Sequence, residues 1–159
     1  MKPLKFKHAA FILALLLLGS STLQAAEDEY SKNKKKEYQV NNQTVLSVTN
    51  KYGDVNITNW NKDMVSIDVT VTVDHRKEEK ARELLDEILI NFSQEGNTIK
   101  AETDFDKNFN RSGGLFDFDS DTKEFSIDYT IKMPKYLNIE LENKYGDVFI
   151  NEVTGRADI

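Results

Sequence analysis

One block of six residues occurs twice. Asn50-Lys51-Tyr52-Gly53-Asp54-Val55 returns unchanged as Asn143-Lys144-Tyr145-Gly146-Asp147-Val148. The flanks agree in type: Leu46-Ser47-Val48 precedes the first copy and Ile139-Glu140-Leu141 the second, while Asn56-Ile57 and Phe149-Ile150 follow. Each copy reads as strand, turn, strand. Glycine is the residue that adopts positive φ without a Cβ penalty, and an aspartate beside it bonds nearby backbone N–H groups. Tyr52, Gly53, Asp54, Tyr145, Gly146 and Asp147 are therefore assigned as structural turn residues. A repeated supersecondary unit buries its apolar face by stacking on its own kind. The repeat predicts an all-β chain wound as a β-solenoid or β-roll. Matching turn residues would lie on adjacent coils, about 4.8 Å apart.

The intervening sequence is mostly strand-like. Val65, Ile67, Val69, Val71 and Val73 alternate with Ser66, Asp68, Thr70 and Thr72, which predicts a long strand with one buried face. One short helix is expected next, capped by Asp74, with Ala81, Leu84 and Leu85 at helical spacing and an end near Glu87. Ile88, Ile90 and Phe92 then alternate, and Gln94-Glu95-Gly96-Asn97 turns the chain into a hairpin whose return strand carries Ile99 and Ala101. Residues 106–121 read as a polar loop. Phe125, Ile127, Tyr129 and Ile131 resume the alternation, and Pro134 ends that strand because it lacks an N–H for the ladder.

The first 26 residues have a different character. Lys2, Lys5 and Lys7 precede an apolar stretch, Ala9 to Leu18, and Gln24-Ala25-Ala26 supplies small residues for cleavage. That layout is a secretory signal peptide. The stretch is shorter than the roughly 20 residues that span a bilayer. Residues 27–37 are polar, with Lys34-Lys35-Lys36 among them, and read as a solvated linker before a β domain at 38–159. The whole chain carries −6, and removing three leader lysines leaves −9. A surface so acidic repels nucleic acid. There is no cysteine, which excludes both a disulfide framework and a lipid-linked N-terminus.

Taken together, the strand before Asn50, the Gly-Asp-Val turn, the long alternating strand, the helix ending in Glu83-Leu84-Leu85 and the strand ending in Met133-Pro134 resemble one bacterial group. It is the bacterial putative adhesin domain family, exported β proteins with serial Gly-Asp-[Val/Ile]-x-[Val/Ile] repeats. The resemblance runs from Val45 to the end. It implies a parallel β-solenoid in the envelope, with more coils than the two seen here. The expectation that follows is a chain truncated within a longer solenoid, which self-associates through its C-terminal edge strand.

Candidate chemistry is sparse. Beyond the leader there is a single histidine, His75, flanked by Asp74, Arg76 and Lys77; it reads as a solvated histidine at a strand–helix junction. With no cysteine and one histidine, neither a Cys/His nucleophile pair nor a Cys/His zinc site is available. Asp117, Asp119 and Asp121 have alternate spacing suited to calcium, but Thr122 stands where an EF-hand loop needs glycine. A solvated acidic loop is the reading adopted. Asp54 and Asp147 serve the turns and not acid–base catalysis, since the whole turn repeats and not the acid alone. No cofactor is expected. The expected function is non-enzymatic: an exported module of the periplasm, outer-membrane surface or exterior, acting as adhesin or scaffold on an envelope protein or glycan. The alternative class is a periplasmic sensing or binding module in envelope signalling.

Overall fold

The computed structural model describes residues 29–107, 109 and 122–159. Residues 1–26, read above as a leader, and the Asp117, Asp119 and Asp121 cluster lie outside the described residues. In chain order the elements are β1 (Glu29–Gln39), β2 (Val45–Tyr52), β3 (Val55–Asn59), β4 (Met64–His75), α1 (Glu78–Glu87), β5 (Ile88–Glu95), β6 (Thr98–Phe105), β7 (Thr122–Met133), β8 (Asn138–Tyr145), β9 (Val148–Ile150) and β10 (Ala157–Asp158).

These strands form two mixed sheets of five. One has the order β1-β4-β7-β3-β9 and the other β10-β8-β2-β6-β5. The inner faces of both sheets contribute to one apolar core, in which Leu46, Ile67, Ile99, Ile127, Ile131 and Ile139 are almost wholly buried. Period-two alternation explains this directly. Every second residue of β4, Val65 through Val73, points inward and is inaccessible to water.

The solenoid or roll expected from the repeat is not what forms. The repeat governs only β2–β3 and β8–β9, which lie parallel and in register. The segment between the copies follows another rule. β4, at 12 residues, pairs antiparallel with β7 on one side and β1 on the other. The β5–β6 hairpin adds an antiparallel edge to the second sheet. A duplicated unit dictates how its two copies meet, and long alternating strands outside it are free to pair antiparallel.

The polar stretch expected to be a linker is also ordered into the sheet. From Glu29 onward it is β1, paired along its whole length with β4, Lys32 opposite Val71 and Lys36 opposite Ile67. Its lysines are long enough to bridge the gap to the other sheet. The Lys32 ammonium donates to the carbonyls of Leu85 and of Ile88, the latter at 2.6 Å, and Lys34 donates to the Ile90 carbonyl at 2.6 Å. Burial of Lys32 pushes its pKa below the usual lysine value. β5 is an edge strand, so at Ile88 and Ile90 these ammonium groups occupy carbonyls that β6 does not pair.

The helix ends at Glu87 as expected, yet Asp74 does not cap it. β4 continues through Asp74 to His75, and the N-cap position is Lys77 with no side-chain cap. His75 is buried, at 2% exposure, and not solvated. Its Nδ1 accepts the Lys77 N–H at 2.9 Å, which ties the end of the strand to the start of the helix. The hairpin forms as read, with Gly96 at φ 56° between Glu95 and the paired Thr98.

Hydrogen exchange of the protein tests the reassignment of β1. Alternate backbone amides between Tyr30 and Tyr38 should be protected by pairing with β4, whereas a solvated linker would exchange all of them at the free-chain rate.

Candidate functional site

The two repeated turns are bends that carry the chain from one sheet to the other. β2 ends at Tyr52 and β3 begins at Val55 in the opposite sheet; β8 ends at Tyr145 and β9 begins at Val148 in the same way. Gly53 stands at φ 103° and Gly146 at φ 134°, a region that L side chains rarely enter. Close approach demands glycine as well. A Cβ on Gly53 would lie 2.6 Å from the Ile127 carbonyl oxygen, and one on Gly146 only 2.1 Å from the Gly53 carbonyl oxygen.

The bends stack. Tyr52 is the register partner of Tyr145 and Asn50 of Asn143. The Gly53 N–H donates to the Tyr145 carbonyl at 2.8 Å, and the Val55 N–H to the Asp147 carbonyl at 2.9 Å. A third rung lies behind them on β7, where the Tyr129 N–H donates to the Asp54 carbonyl at 2.8 Å. The aspartates form a ladder across these rungs. Asp128 Oδ1 accepts the Asp54 N–H at 2.8 Å, and Asp54 Oδ1 accepts the Asp147 N–H at 2.8 Å. Each carboxylate satisfies the bend of the next rung with a charge-assisted hydrogen bond. The asparagines do the same for carbonyls. Asn50 Nδ2 donates to the Ile127 carbonyl at 2.9 Å and Asn143 Nδ2 to the Gly53 carbonyl at 3.1 Å.

Behind the bends is a buried polar chain. Thr103 gives its one hydroxyl proton to Asn50 Oδ1 at 3.1 Å, so the Tyr129 hydroxyl is the donor in its 2.8 Å contact with Thr103. Burial pushes the Tyr129 phenol up to about 12. An aromatic column flanks the ladder. Tyr145 stacks on Tyr52 with centroids 5.2 Å apart and planes 14° apart, and Tyr52 meets Phe125 at 5.1 Å and Phe105 at 6.1 Å. Phe109 continues it, 4.5 Å from Phe105. Lys144 lies over the Tyr145 ring at 5.4 Å and Lys51 over the Phe105 ring at 5.9 Å. The Lys144 contact is exposed and the Lys51 contact half-buried; an exposed cation–π contact contributes about 0.5–1 kcal/mol.

The structure thus brings Tyr52, Gly53, Asp54, Tyr145, Gly146 and Asp147 into one place, each first-copy residue beside its second-copy counterpart. Sequence reasoning missed Asp128, Tyr129 and Thr103. Asp128 has the ladder role of Asp54 without any Tyr-Gly-Asp turn around it, so the repeat gave no signal for it. Asn50 and Asn143 were inside the repeated block and were the available clue to the carbonyl ladder.

Among the described residues β9 and β10 are the last strands of their sheets, and Tyr145 and Phe149 are 53% and 52% exposed. No donor among the described residues reaches the Asp147 carboxylate, whereas Asp128 and Asp54 each cap a following rung. Among the described residues there is no group of three or more His, Cys, Asp or Glu that would hold a metal ion, and no helix long and apolar enough to cross a membrane.

No family model matches the chain, and no curated protein matches it. Among solved structures it is similar to a putative cell adhesion protein from Clostridium sporogenes, at 14% identity and a TM-score of 0.37, over 74% of this chain and 50% of that one. It is also similar to a putative adhesin from Bacteroides fragilis, at 16% identity and a TM-score of 0.36, over 79% of this chain and 51% of that one. A putative adhesin from Parabacteroides merdae matches at 11% identity and a TM-score of 0.34, over 79% of this chain and 44% of that one. The chain spans about half the length of these proteins.

The bend geometry separates two glycines that look alike in the sequence. Gly53→Ala meets both a forbidden φ and backbone atoms at 2.6 Å and should cost about 3 kcal/mol or more. Gly96→Ala meets φ 56° with open space around it and should cost about 1 kcal/mol. Urea unfolding of the two variants measures the difference, and equal losses would mean that the bend is not close-packed.

Proposed function

We propose that this chain is a non-enzymatic, exported β module of the bacterial envelope or cell surface, of adhesion or scaffold type, that engages an envelope protein or a glycan. The observation that carries the reading is the aromatic surface beside the repeated bends: Tyr145 stacks on Tyr52 and is 53% exposed, and Phe149 on β9 is 52% exposed. Exposed rings supply contact area for a protein or a sugar. The acidic balance of the chain beyond its leader supports a protein or neutral glycan partner over nucleic acid. The lysine, apolar and small-residue layout of residues 1–26 supports export.

Expression of the full chain in a bacterial host tests this. Intact mass should show loss of residues 1–26, and protein recovered from the envelope or medium should bind immobilised envelope proteins or glycans. Phe149→Glu, at an exposed position of β9, should weaken that binding while leaving the unfolding free energy within about 0.5 kcal/mol of the parent. A cytoplasmic protein of full-length mass, or binding indifferent to Phe149→Glu, contradicts the proposal.

A further inference from the structure

We infer that β1 accepts an extended acidic segment of a partner protein, which adds antiparallel to it as a sixth strand of its five-stranded sheet. β1 lies at the far side of that sheet from β9, so this is a second surface, distinct from the rings of Tyr145 and Phe149.

The polar groups of this edge follow from its register. The Val40 N–H donates to the Asp63 carbonyl at 3.0 Å, next to the pair Gln39–Met64. In an antiparallel ladder, pairs that exchange backbone hydrogen bonds alternate with pairs that do not. Lys32, Lys34, Lys36 and Tyr38 therefore bond β4, and Asn33, Lys35 and Glu37 turn their N–H and C=O groups away from it. β1 is the first strand of its sheet, so among the described residues these groups face no other strand. α1 comes close at the beginning of β1, where the Leu85 carbonyl accepts Lys32, so the usable length runs from Asn33 to Gln39.

The side chains supply the second half of the site. Lys34 and Lys36 lie opposite Val69 and Ile67, whose side chains are in the core, so both lysines face the seam between the sheets. The Lys34 ammonium spends one of its three N–H groups on the Ile90 carbonyl. Lys36 makes a ring contact, 5.9 Å from the centroid of Tyr38. Among the described residues neither has a carboxylate at ion-pair distance, whereas Lys35, on the outer face, is paired with Glu37 at 3.4 Å. A cleft of about 370 Å³ opens beside Lys32 and Lys34, backed by Val69, Val71, Ile88 and Ile90.

A polypeptide meets both sets of groups. Its own N–H and C=O groups recur at the spacing of those on Asn33, Lys35 and Glu37. An antiparallel strand places its residues opposite Lys34 and Lys36 at pairs without backbone bonds, where side chains lie closest. Carboxylates at those alternate positions take the unspent ammonium donors. A phosphate chain would meet the ammonium groups but has no donor for the edge carbonyls. A second copy of this chain is a poor occupant, because two β1 strands side by side set lysine against lysine along the seam.

The probe is a labelled peptide of alternating threonine and glutamate, long enough to run from Asn33 to Gln39. Fluorescence anisotropy against the full chain should show saturable binding, and a peptide with lysine in place of glutamate should not bind. Lys36→Glu should weaken binding about tenfold or more, the effect of losing one charge-assisted hydrogen bond. Glu37→Pro separates strand addition from charge. It removes one outward N–H and makes the edge more positive, yet leaves the N–H groups bonded to β4 in place. Strand addition predicts weaker binding by this variant, and ion pairing alone predicts tighter binding. Circular dichroism verifies that both variants are folded. A peptide N-methylated at its threonines, which face the β1 carbonyls when the glutamates face the seam, draws the same distinction on the unaltered protein and should not bind. Absence of binding by the acidic peptide overturns the inference. So does equal or tighter binding by Glu37→Pro, or equal binding of the N-methylated peptide, since β1 would then hold anions such as phosphate or lipid headgroups and not a strand. Loss of peptide binding in Phe149→Glu would place the peptide on the other surface and overturns it as well.

Discussion

The close stacking of two glycine bends is the constraint on which the rest depends. Gly146 rests on the Gly53 carbonyl at a distance that admits no side chain. That contact sets the rung spacing at the point where the chain changes sheets. Once the bends are in register, the strands on either side are in register too: β2 with β8 in one sheet and β3 with β9 in the other. The core then follows from pleating, since fixing register fixes which residues face inward. The Asp128–Asp54–Asp147 ladder answers the polar problem that such a bend creates. A chain crossing between sheets leaves N–H groups that no strand can pair, and a short carboxylate from the neighbouring rung satisfies each in turn.

Along β1 and β5 the two sheets are tied by side chains: Lys32 and Lys34 of β1 reach over to the Ile88 and Ile90 carbonyls of β5, a use of long side chains whose stems pack while their ammonium groups donate.

Much of this was legible in the sequence. Alternation from Val65 to Val73, the helix end at Glu87 and the hairpin at Gly96 are local signals, and the structure contains each. The pairing of Tyr52 with Tyr145 followed from identity between two turns, a long-range inference that repeats uniquely allow. What the sequence concealed was non-local. β1 is polar on both faces because it is an edge strand whose lysines serve the other sheet, so composition alone reads as linker. His75 looked solvated among charged neighbours in sequence, but β4 carries it inward beside the helix. The solenoid expectation generalised two rungs to a whole chain, and the antiparallel pairing of β1, β4 and β7 is what such a generalisation omits. Asp128 joined the ladder through tertiary placement, with no turn motif to announce it.

The chain has no cysteine, which gives a clean background for measuring register directly. Ser47 and Glu140 are parallel partners on β2 and β8. Neighbouring strands hold such residues about 4.8 Å apart, inside the 4.4–6.8 Å range of disulfide geometry. The double variant Ser47→Cys/Glu140→Cys should oxidise quantitatively to an intramolecular disulfide in the folded state, and Ser47→Cys/Asn138→Cys, two residues out of register, should not. Equal oxidation of both pairs, or of neither, would contradict the in-register stacking from which the ladder and the core are derived.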